Sequence, residues 1–211
     1  MKKIIGAVSF LGLSTVLTGC DTGVAQAVDV TTEIETVENT LIEKLNAIAS
    51  QEADLQAEFE TTLAEDAELS TLKDGSAAVF ENIETRQTDL DSLKEAAENL
   101  KGQSDELADL DSEDLPSEEI TNVTDALTTL NGSLDQFTEL YGATLTEQES
   151  YFQSLVEEDA TYETLQTGIE QLNEQHTATN DLFIQLDSNL AQLQTSRTEA
   201  AAALESLENN K

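Results

Sequence analysis

From Ile34 onward, apolar residues return every third or fourth position in four successive runs. The first comprises Ile34, Val37, Leu41, Leu45, Ile48, Leu55, Phe59 and Leu63. This spacing keeps the apolar side chains on one narrow face of a helix. A second run follows through Val79, Phe80, Ile83, Leu90, Leu93, Ala97, Leu100 and Leu107, and Arg86 and Gln87 stand where another apolar layer is due. The third passes from Ile120 through Leu127, Leu134 and Phe137 to Leu155, and the fourth from Tyr162 through Leu172, Leu186 and Leu193 to Leu207.

Between the runs lie the segments that can turn the chain. Gly75 follows Lys73-Asp74 and suits a left-handed helix end, with Ser76 as a cap for the next helix. DLDSEDLPSEE, residues 109–119, breaks the second run from the third and ends in a plausible helix start at Ser117. Asn131-Gly132 interrupts the third run without shifting its spacing and reads as a kink or soft spot. Residues 156–161 are either a turn, capped by Asp159 or Thr161, or part of one continuous rod. With a turn there, the pattern predicts an all-α fold: an elongated, antiparallel, coiled-coil-like bundle of four long helices running up and down. Scarce helix breakers point the same way, because Pro116 is the chain's one proline.

Charge changes the picture more than composition does. Lys and Arg total 9 against 44 Asp and Glu, a formal net charge of −35. Phosphate recognition depends on basic side chains, so direct nucleic-acid binding is excluded as a role. The same sign repels anionic lipid headgroups and phosphate-rich wall polymers. Any attachment to a polymer of that kind then needs neutral sugars, a cationic envelope protein or bridging divalent ions.

The first twenty residues read as an export signal: Lys2 and Lys3, a short apolar stretch from Ile4 to Leu17, then small residues. The apolar stretch is shorter than the ~20 residues that cross a bilayer. Leu17-Thr18-Gly19-Cys20 resembles a bacterial lipobox, which implies diacylglycerol on the Cys20 thiol and cleavage just before it. Cys20 is the chain's single cysteine and has no internal disulfide partner. Two acyl chains hold a protein firmly, at about 0.8 kcal/mol per buried methylene. The expected layout is a signal peptide over residues 1–19, a lipidated Cys20 with a flexible stalk to residue 32, and a bundle over 33–208. The mature chain would be exported and tethered to the outer face of the cytoplasmic membrane, with no cofactor beyond the covalent lipid.

Together with the lipobox and the acidic helical body, the segments DGSAAVFENIETRQTDLDSL and LVEEDATYETLQTGIEQLN resemble the YkyA-type lipoproteins of Gram-positive bacteria, a family described as cell-wall-binding. The resemblance implies an elongated bundle at the outer membrane face, with the cell wall or peptidoglycan as a partner. It supplies no binding residues.

Chemistry-bearing residues are sparse. His176 is the chain's one histidine and falls at a polar layer of the last run, so no His pair exists for zinc or acid/base work. Asp109, Asp111, Glu113 and Asp114 alternate like the start of a calcium loop, but Asp114 sits where an EF-hand needs glycine and Ile120 where it needs glutamate. A loose calcium or magnesium site is the alternative function that these four acids leave open. The main expectation is a non-enzymatic binding or scaffolding module of the cell envelope.

Overall fold

A computed structural model describes residues 22–110 and 115–209. Five helices follow in order: α1 (Thr22–Glu65), α2 (Ser70–Asp74), α3 (Ala78–Asp109), α4 (Ser117–Ser154) and α5 (Tyr162–Asn209). α1, α3, α4 and α5 have 44, 32, 38 and 48 residues. At 1.5 Å per residue they run from about 48 to about 72 Å. Each long helix packs on two others, α1 on α3, α3 on α4, α4 on α5, and α5 back on α1.

Cross-helix pairs fix the direction of every neighbour. Lys44 meets Asp89 while Gln51, further up α1, meets Asn82, further down α3. Lys101 meets Asp135, whereas Arg86 meets Gln148. Ser133 accepts from Asn189, whereas Tyr151 donates to the Leu165 carbonyl. All neighbours are antiparallel, so the fold is the up-and-down bundle that the periodicity predicts.

The core is the set of seam residues. Ile34, Leu41 and Ile48 of α1, Leu90 and Leu100 of α3, Leu130 and Phe137 of α4, and Leu186 and Leu204 of α5 are all fully buried. Each well-buried leucine contributes roughly 1.5–3 kcal/mol before chain entropy is counted. At one end of the bundle Phe59, Phe80, Tyr151 and Phe152 form an aromatic cluster with ring centroids 5.1–6.4 Å apart.

Several local expectations change. Residues 22–32 are helical, and Val24, Ala27 and Val30 are buried in the core where a flexible stalk was expected. Their small apolar side chains continue the three-residue spacing of α1 toward the amino terminus. The first helix stops at Glu65 instead of running to Gly75. Asp66 ends it by accepting from the Thr71 N–H at 2.6 Å, the Thr71 hydroxyl at 2.8 Å and the Ser70 hydroxyl at 2.9 Å. The short α2 follows, pinned to the core by Leu72.

Ser76 turns back to Asp74 and does not cap α3, whose N-cap is Ala77. α4 runs through Asn131-Gly132 as one helix. Residues 155–161 are a turn, and Thr161 and Thr164 close the start of α5 by reciprocal side-chain bonds to each other's backbone N–H. Gly168 is where α5 comes closest to α4, since a Cβ there would run into the Tyr151 ring.

Gly75 has φ +79° with open space around it, so its penalty for a side chain is backbone strain alone. Gly75→Ala should lower stability by about 1 kcal/mol in a urea titration. An unchanged midpoint would mean that the turn readily adopts another conformation.

Candidate functional site

Polar side chains interrupt the greasy seam at two levels. At the first, Arg86 of α3 is completely buried in the middle of the bundle. Its guanidinium donates to Glu52 Oε2 of α1, to the Tyr141 hydroxyl at 3.0 Å and to Gln148 Oε1 at 2.7 Å, both on α4. The Tyr141 hydroxyl donates to the same Glu52 oxygen at 2.6 Å, and Gln148 Nε2 donates to Glu52 Oε1 at 3.3 Å. Burial, and then the neighbouring Glu52 carboxylate, push the Tyr141 phenol far above its usual range, although Arg86 opposes the shift. The phenol therefore stays protonated as a donor. Phe137 stacks on Tyr141 from one helical turn earlier, at 5.2 Å between centroids.

Three helices thus meet at one carboxylate, and α5 approaches it through His176, whose Nδ1 stands 4.0 Å from Glu52 Oε1. His176 was expected within a polar layer of the seam. It lies at that layer's edge, with most of its side chain in solvent.

The second level joins the far ends of the chain. Arg197 of α5 donates through Nε to Glu38 at 2.8 Å and through a terminal nitrogen to Glu35 at 3.2 Å. Glu38 is buried, and its other oxygen has no protein partner. Desolvation raises the Glu38 pKa despite the opposing pull of Arg197, with Glu35 adding to the rise.

Arg86, Gln148, Glu52, Glu38 and Arg197 all occupy positions where the helical spacing calls for an apolar residue. Charges at seam positions on partner helices are the sequence signal for these layers. Reading Arg86 as a layer defect found half of one pair, and its acidic partner went unrecognised because nothing in one chain's spacing aligns α1 with α3. Neither Glu52 nor Arg86 is open to a substrate, so the chemistry of this node is that of positioning: it sets the register of three helices.

Cys20 and the lipobox residues Leu17, Thr18 and Gly19 lie outside the described residues. So do Asp111, Glu113 and Asp114 of the alternative cation site, while Asp109 is the last residue of α3. Among the described residues no three His, Cys, Asp or Glu side chains are grouped to hold a metal ion. No described helix is long and apolar enough to cross a membrane.

A groove of about 510 Å³ lies between α4 and α5 next to their turn. Ser150, Tyr151, Thr164, Thr167 and Gln171 wall it, with Glu147 and Glu163 at its margin and no basic residue. Gln171 and Gln175 both donate to Glu147 across it.

A family model described as "Putative cell-wall binding lipoprotein", YkyA, matches residues 22–203, from the first turn of α1 to the last turns of α5. No curated protein and no solved structure matches the chain.

Two predictions follow from these layers. Arg86→Met alone strands a buried carboxylate and should cost about 3–5 kcal/mol, whereas Arg86→Met with Glu52→Leu should recover most of that loss. Equal losses in single and double variants, measured by chemical denaturation, would show that the two charges do not act as a pair. For pH, a folded-state pKa raised above 4.5 means that Glu38 adds stability below that value and loses it as pH rises through the folded pKa. The thermal midpoint should therefore climb as pH falls from neutral through the folded pKa toward 4.5, and Glu38→Gln should flatten the climb. A Glu38→Gln profile parallel to the native one would contradict this assignment.

Proposed function

The chain belongs to the YkyA family of cell-wall-binding lipoproteins, and from that premise we propose that it is a non-enzymatic wall-binding module, lipid-anchored through Cys20 at the outer face of the cytoplasmic membrane. The observation carrying this reading is the reach of the family match, which spans nearly the whole bundle instead of one end of it. The internal chemistry supports a non-catalytic role, because the strongest polar constellation is spent on holding helices in register.

Charge narrows the ligand. Five of the six basic side chains among the described residues, Lys44, Arg86, Lys94, Lys101 and Arg197, are already paired with carboxylates of the same chain. Phosphate- or carboxylate-rich wall polymers meet a surface whose cations are occupied and whose net charge repels them. Uncharged glycan suits the molecule better, and the groove between α4 and α5 offers the hydroxyl and amide groups, with one aromatic edge at Tyr151, that neutral sugars pair with. The bundle would then span tens of ångströms between the lipid and the wall, a spacer as well as a grip.

Co-sedimentation with purified wall sacculi tests the reading. Binding should persist after teichoic acids are stripped and after chelator is added, and Thr167→Arg, which fills the groove, should weaken it several-fold. Loss of binding with chelator alone would favour the divalent-cation alternative, and no sedimentation under any condition would overturn wall binding. For the anchor, Cys20→Ala should move the protein from the membrane fraction to the soluble one.

A further inference from the structure

One residue, Asp21, separates Cys20 from the start of α1 at Thr22. Consecutive Cα atoms are about 3.8 Å apart, so the Cα atoms of Cys20 and Thr22 lie within about 8 Å of each other whatever the backbone does between them. Val24, Ala27 and Val30 come next, and all three are buried in the core. A lipid on Cys20 is thereby joined almost directly to packed structure. No slack segment separates anchor from body.

Antiparallel order gives the bundle two unlike ends. The base gathers the start of α1 at Thr22, the end of α3 at Asp109, the start of α4 at Ser117 and the end of α5 at Asn209. The tip holds the end of α1 at Glu65, the short α2, the start of α3 and the turn between α4 and α5. Cys20 belongs to the base. From Ser117 to Tyr151 along α4, and from Asn209 back to Gly168 along α5, the rise of 1.5 Å per residue places the α4–α5 groove about 50–60 Å from that base.

Charge decides whether such a rod lies down or stands. Every long helix exposes carboxylates along its middle, among them Glu43 of α1, Glu95 of α3, Glu139 of α4 and Asp187 of α5. Lying flat on anionic lipid would bring a whole acidic flank within the screening length of about 8 Å at physiological ionic strength, and repulsion would act along the full rod. Standing brings only the base that close, where the covalent link holds exposed Asp105, Glu106, Asp109, Glu118 and Glu205 near the headgroups. We propose that, anchored through Cys20, the bundle stands on this base above an anionic bilayer and presents its tip, with the α4–α5 groove, to the wall about 50–60 Å out. The inference rests on the Cys20 anchor of the proposed function and adds which end meets the wall.

Neutron reflectometry on a supported bilayer tests this stance. The chain from Cys20 onward is coupled through that thiol to a maleimide lipid, at coverage sparse enough that crowding does not raise the rods. The result is then independent of whether a cell lipidates Cys20, which the Cys20→Ala fractionation decides separately. On a bilayer containing phosphatidylglycerol the protein layer should be at least about 50 Å thick. On one containing a cationic lipid instead, the acidic flank is attracted and the layer should thin to half of that or less. A layer thinner than about 50 Å on the anionic bilayer would overturn the proposal. So would a thickness that does not respond to the sign of the lipid charge.

Discussion

The Glu52–Arg86 pair is the constraint around which the bundle is organised. An arginine with no solvent access cannot be left alone, since an unpaired buried charge costs several kcal/mol. Its partners come from α1 and α4, so three helices have one shared register in which the charge is satisfied. A slip of α3 by one turn would take the guanidinium away from its acceptors and leave Glu52 without its cationic partner. Leucine seams have no comparable preference, because one leucine layer closely resembles the next. Hydrophobic burial supplies the drive to fold, and the polar node selects one fold among similar ones.

That division of labour explains what could be read from the chain. Helix existence and class followed from spacing, because Leu41, Leu90, Leu130 and Leu186 each obey the three-four rhythm and each are buried, whereas antiparallel order hung on a turn at 156–161 that the sequence left open. Helix ends were harder. α1 stops at Glu65 because the Asp66 carboxylate captures the Ser70 and Thr71 donors beyond it, a local geometry that competes with Gly75 further along the chain and has no periodic signature. The amino-terminal turns were misread for a different reason. Val24, Ala27 and Val30 are small and lie outside the leucine-rich run, yet small side chains suffice for burial there. The node itself was half legible: Arg86 announced an interrupted layer, but which acid answers it depends on how helices align across turns.

Charge and fold are coupled through a scarcity of cations. With 9 basic residues against 44 acids, the chain commits nearly all the basic groups of its bundle to internal pairs. Two are arginines, and both sit at seam positions where the planar, multiply donating guanidinium can bind several acceptors at once. The exposed surface is left with uncompensated carboxylates, which keep the molecule soluble and repel anionic polymers while opposing compaction.

That opposition acts unevenly along the bundle. Where Arg197 bridges Glu35 and Glu38, α1 and α5 are tied by charge. At the other end no arginine joins α1 to α5, and the approach across the seam is that of a solvent-exposed His176 to Glu52.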